Sequence, residues 1–212
     1  MMVERQRLGV TTAASLNVLL WLLLVVAVVV PVAIAANSPL LAWRDPIYVA
    51  AGLAGVIAMV LLLIQPLLAG GYLVGARGAR GRRIHRWVGV GLLSSVFIHV
   101  VGLWLTSPPD VVDALLLRSP TLFSVWGVVA MWATIAAAFL AVFRRRLPIR
   151  RALWRFMHSV LAIIVVVGSV VHALQIEGTM GTWSKVMLCA LVVIATGWVV
   201  LELRSWVVLR LE

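Results

Sequence analysis

The chain has 212 residues, of which 64% are hydrophobic and only 12% charged. Soluble domains carry about 25% charged residues, so a water-soluble globule is excluded and lipid is the solvent. Eighteen Lys and Arg against seven Asp and Glu give a net charge of +11; in a lipid-embedded chain this records orientation rather than a nucleic-acid partner, and none is expected. A single cysteine, Cys189, excludes a disulfide framework, a CxxC redox pair and a thiolate zinc or iron–sulfur centre.

A spanning helix needs about 20 apolar residues, and six stretches qualify. The first runs from Leu16 to Ala35 with Pro31 near its end, where a proline costs little or introduces a kink that neighbours repair. Its flanks, Met1 to Arg7 and Ala33-Ile34-Ala35-Ala36, also imitate a signal peptide with its cleavage site; a retained span is the preferred reading. The second runs from Ile47 to Leu68 with Pro66 near its end, followed by Gly70-Gly71 and Gly75 to Gly81, read as a flexible basic loop. The third, Ile84 to Thr106, carries His85 and His99; the fourth is Leu122 to Phe143; the fifth, Leu153 to Leu174, carries His158 and His172; the sixth is Val186 to Leu203. The fold class is therefore all-α, a six-helix transmembrane bundle forming one domain over residues 1–212. No stretch outside the spans is long enough for a flavin or nicotinamide domain, and no dinucleotide fingerprint or phosphate loop is present.

The loops sort by charge. Arg5, Arg7, Arg77, Arg80, Arg82, Arg83, Arg86, the run from Arg144 to Arg155, Arg204 and Arg210 fall on one side; Arg44, Arg118 and Lys185 fall on the other with Asp45, Asp110, Asp113 and Glu177. The positive-inside rule makes the arginine-rich side cytoplasmic, with both termini there, and the location a cytoplasmic membrane. Trp43, Trp104 and Trp183 at one face and Trp87, Trp154 and Trp206 at the other suit interfacial anchors.

All four histidines lie within spans, and each pair is 14 positions apart. At about 100° per residue both members of a pair look out from nearly the same helix face, roughly 21 Å apart along the axis. The third and fifth spans run in the same direction, so His85 shares a depth with His158 and His99 with His172. Two imidazoles at one depth suit haem, whose ring supplies the other four iron ligands; two per level are too few for zinc, and no carboxylate lies in those spans. Such an iron has no open position, so outer-sphere electron transfer is its natural task, and two across the bilayer make a wire. Gly89, Gly102 and Gly168 on the histidine faces leave room for a flat macrocycle or for close helix contact. Arg86 and Arg155, with Arg82 and Arg83, stand where propionates need partners; Arg118 and Thr106-Ser107 are the equivalents for the second level. Phe97, Phe156 and Met157 suit haem-pocket packing. A transition-metal or proton-coupled transporter using these histidines, or a scaffold in which they only pack, are the competing readings.

Six spans with this histidine pattern, the stretch Gly81-Arg-Arg-Ile-His-Arg-Trp-Val-Gly89 leading to His99, and Trp154-Arg-Phe-Met-His158 leading to His172 resemble the ferric reductase-like transmembrane domain family. That family includes metalloreductases, the membrane half of NADPH oxidases and the haem-bearing membrane subunit of the methionine sulfoxide reductase system. The resemblance covers roughly residues 47–203. It implies that His85 with His158, and His99 with His172, are axial ligands of two b-type haems, or of one if a single pair is occupied, with electrons moving outward. It further implies a cytoplasmic flavoprotein, bringing its own flavin, or a quinol as donor. The acceptor across the membrane would be ferric iron, oxygen or a periplasmic redox protein. No residue of this chain is expected to be catalytic in its own right.

Overall fold

The computed structural model describes the backbone of residues 2–208 and the side chains of residue 15 and residues 17–202. The side chains of Arg5, Arg7, Arg204 and Trp206, and the whole of Arg210, lie outside the described residues. Every regular element among the described residues is helical: α1 (Met2–Ala36), α2 (Pro46–Ala69), α3 (Gly78–Thr106), α4 (Pro108–Leu115), α5 (Leu122–Val142), α6 (Arg151–Gln175) and α7 (Thr182–Val208), with short 3-10 turns at Pro39–Leu41 and Phe143–Arg145. All but α4 are long and apolar enough to cross a membrane, so the chain is a multi-pass membrane protein. The six expected spans each correspond to one of these helices.

Local chemistry sets several of the ends. Asp45 caps α2, its carboxylate accepting from the backbone of Ile47 at 2.7 Å and Tyr48 at 3.4 Å, and Pro46 fills the first helical position, where a missing N–H costs nothing. Pro66 lies three residues from the end of α2 and does not break it.

Two stretches depart from the sequence reading. The basic segment before Ile84 is helical from Gly78 rather than a loop, because arginine is a good helix former and its long stem lets the guanidinium reach water from a membrane edge. The turn is confined to residues 70–77, where Gly71 and Gly75 take φ of 71° and 81°. The connection after α3 forms α4, opened by Pro108 and closed on itself by a 2.5 Å bond from the Ser107 hydroxyl to Asp110.

The bundle is organised as two antiparallel hairpins, α2 with α3 and α5 with α6, bridged by α7, which packs on α2 and α6; α1 leans on α2 and α7. The core lies where these meet, around Val56, Met59, Leu63, Leu188 and Val192. Lipid tails are as apolar as leucine, so close packing rather than water exclusion holds such helices together, and small residues let backbones approach. A β-carbon on Gly102 would stand 2.7 Å from that of Ala51 in α2, and one on Gly168 would stand 3.0 Å from that of Ala130 in α5. The outer surface of α1 is a sheet of half-exposed leucine and valine, including Leu19, Leu22, Leu23 and Val26, as lipid contact requires.

Candidate functional site

The α3 and α6 helices meet through histidines rather than through close backbone packing. His85 and His158 bring their ring centres to 6.5 Å with planes at 66°, and His99 and His172 bring theirs to 6.4 Å at 81°. Both expected pairs are therefore side by side, and their matching order means that the two helices run in the same direction. Fourteen positions separate the levels on each helix, about 21 Å at 1.5 Å per residue.

The second nitrogen of each ring decides what the first can do. His99 Nδ1 is 2.8 Å from the Ala51 carbonyl, His172 Nδ1 is 2.7 Å from that of Phe123, and His85 Nδ1 is 3.2 Å from that of Gln65. A carbonyl only accepts, so Nδ1 carries the proton in these three rings and Nε2 keeps its lone pair free to bind a metal. His158 differs: its Nδ1 is buried and has no hydrogen-bond partner. The Trp154 indole holds it instead, stacked with ring centres 5.1 Å apart and planes at 8°. That indole is itself fixed, donating from Nε1 to the Leu140 carbonyl at 3.0 Å and lying 4.6 Å from the guanidinium carbon of Arg144.

This arrangement suits one metal between each pair. Two metal–imidazole bonds of about 2.0 Å, with about 1.1 Å from each nitrogen to its ring centre, set the centres about 6.2 Å apart, close to both observed separations. Among the described residues no three His, Cys, Asp or Glu side chains gather as a metal-ion site, and each level offers two imidazoles. A haem iron needs no more than two.

The other sequence-derived candidates sit around this axis. Gly102 and Gly168 make their tight contacts with α2 and α5, and a β-carbon on Gly89 would meet the Gln65 side chain at 3.1 Å. Arg86 and Arg155 are exposed beside the His85–His158 level. Arg86 also lines a shallow pocket of about 350 Å³ with Arg83, Trp87 and Val90. Phe97 and Phe156 are mostly exposed. Trp154, expected as an interfacial anchor and as part of the stretch leading to His158, also stacks on His158, which the four-residue spacing between them permits.

Three residues escaped the sequence reading. Gly55 and Gly127 lie against the rings of His99 and His172. Gln65, besides accepting from His85, donates from Nε2 to the His85 carbonyl at 3.3 Å, while its Oε1 is buried without a partner. Gly55 and Gly127 are 72 positions apart, against 73 between the histidines of α3 and those of α6, a faint recurrence that does not by itself show which ring each glycine meets.

The sequence matches the family model described as Ferric reductase like transmembrane component over residues 9–169. The matched stretch includes His85, His99 and His158 and ends three residues before His172. No curated protein and no solved structure matches the chain.

Proposed function

Because the chain belongs to the ferric reductase-like transmembrane family, we propose that it is the electron-relaying membrane subunit of an oxidoreductase, with one b-type haem held by His85 and His158 and a second by His99 and His172. The observation that carries this reading is the pair of imidazole separations, 6.5 and 6.4 Å, each matching what one shared metal needs. A haem held by these residues would supply one-electron chemistry.

The protein's part is to bind, orient and exclude water. Carbonyls of α2 and α5 fix the protonated Nδ1 and so aim Nε2 of His85, His99 and His172; Trp154 fixes His158 by stacking. Gly89, Gly102 and Gly168 keep α3 and α6 seated against their neighbours, leaving the space between them for the macrocycle. Arg86 and Arg155 supply positive charge for its propionates at the His85–His158 level. The arginine-rich side is cytoplasmic in this reading, both termini lie there, and the membrane is the cytoplasmic one. A flavoprotein or quinol delivers electrons at that side, and the acceptor waits across the bilayer. A transporter using the same histidines is not favoured by the family match.

Purified protein tests the proposal. Reduced-minus-oxidised spectra are expected to show b-type haem at about two per chain, and His99→Ala to remove one; a colourless protein that takes up no added hemin overturns it.

A further inference from the structure

Gly55 and Gly127 occupy equivalent places in the two hairpins. In α2 the Ala51 carbonyl receives His99 Nδ1, and the residue one turn on is Gly55, whose absent β-carbon would fall 3.0 Å from that same nitrogen and 3.2 Å from the ring's Cε1. In α5 the Phe123 carbonyl receives His172 Nδ1, and one turn on Gly127 would place a β-carbon 2.7 Å from the nitrogen and 2.8 Å from Cε1. Glycine inside a helix is disfavoured against alanine, so its presence at both positions calls for a packing reason. Both glycines leave the gap through which an imidazole lies along a neighbouring helix and reaches a main-chain acceptor. The His85–His158 level is built differently, with one longer Nδ1 bond and one ring without any.

We infer that Gly55 and Gly127 are paired positioning residues for the His99–His172 level: by omitting a side chain they admit both Nδ1–H···O=C bonds, which orient the two rings and make them more strongly donating ligands. This rests on the haem-carrying function proposed above. A ligand imidazole that gives its other N–H to a carbonyl is more basic and favours the oxidised metal. Losing that bond therefore raises the potential of the metal it serves. A β-carbon at 127 intrudes further than one at 55, so the effect is ordered. Gly52, on α2 with open space beside it, provides the control.

The experiment is redox potentiometry of the full chain in detergent, read optically and by electron paramagnetic resonance, with His99→Ala identifying the component that belongs to this level. Gly127→Ala is expected to move that component's midpoint upward and change its low-spin signal. Gly55→Ala moves it less in the same direction, Gly52→Ala leaves it in place, and the other component stays put in all three. Loss of the His99 component alone in Gly127→Ala, with the second component intact, supports the same conclusion and leaves Gly55→Ala to read the shift. Unmoved potentials in both glycine variants of a haem-containing protein overturn the inference alone, as does an equal shift in Gly52→Ala. A wild-type chain that binds no haem overturns the function on which it rests.

Discussion

The indole of Trp154 lies flat on the imidazole of His158, 5.1 Å from centre to centre and 8° from parallel, beside the one histidine whose Nδ1 has no hydrogen-bond partner. Stacking thus orients this ring, as a carbonyl orients the other three, but leaves its Nδ1 without an acceptor. Outer-shell partners of this kind contribute about 10–100-fold to metal affinity. Trp154→Ala in a His99→Ala background, which isolates this level, is therefore expected to weaken hemin binding by about 10-fold or more, whereas Trp154→Phe keeps a stacked ring and most of the affinity. Equal affinities in a hemin titration of Trp154→Ala and its parent would show that the stack holds nothing.

The pairing predicts which histidine substitutions are equivalent. His99→Ala and His172→Ala are expected to remove one and the same spectroscopic component, His85→Ala and His158→Ala the other, because each level brings two imidazoles to 6.4–6.5 Å between ring centres. Combining two substitutions of one level adds little to either alone, the non-additivity expected of groups that act as a unit. Haem-to-protein ratios across the four single and two same-level double variants read this directly; four distinct losses would break the pairing.

Gly102 and Gly168 are expected to matter for helix seating. An added β-carbon meets Ala51 at 2.7 Å in the first case and Ala130 and the Trp126 carbonyl at 3.0 Å in the second. Overpacking of this kind costs about 1–3 kcal/mol, so alanine at either position lowers the thermal midpoint of the detergent-solubilised protein. Gly197→Ala, which enters open space, does not. Identical midpoints for all three would mean that α3 and α6 are free to shift away.

Tyr72, in the turn after α2, donates its phenol proton to Glu202 at the end of the α7 span. Burial first, and then this bond and the carboxylate charge, hold its pKa above the ordinary tyrosine value, partly offset by Trp198. The neutral phenol is the favoured form in the fold, so its contribution to stability is complete below the unfolded value of about 10 and is lost as pH rises through the folded one. Only two tyrosines are present, so a Tyr48→Phe background isolates the titration. Phenolate absorbance of Tyr72 is expected to emerge later than that of free tyrosine, and Glu202→Gln to bring it earlier; an unchanged curve on that substitution removes the carboxylate as a cause.

The spans and the histidine levels were legible because both are local periodicities: an apolar run of about 20 residues and a 14-residue interval survive without knowledge of the neighbours. The start of α3 was not, since hydropathy marks where residues become apolar rather than where Arg80, Arg82 and Arg83 begin to hydrogen-bond as a helix. Eight-residue α4 is too short to leave a periodic signature. Gly55 and Gly127 were illegible for a further reason, because what a missing side chain admits depends on a helix from elsewhere in the sequence. The same holds for Gly102, whose histidine-side position was readable while its contact with Ala51 was not.

That three imidazoles lean on peptide carbonyls has a genetic corollary. Ala51 is buried against Gly102 and admits little else, but codon changes at Gln65 or Phe123 cannot erase an acceptor that belongs to the main chain, so those sites should tolerate variety in a saturation library. The neighbouring glycine codons should not. A functional screen would then trace the second coordination sphere as a scatter of intolerant small residues beside permissive large ones, an inverse image of the usual conserved side-chain cluster.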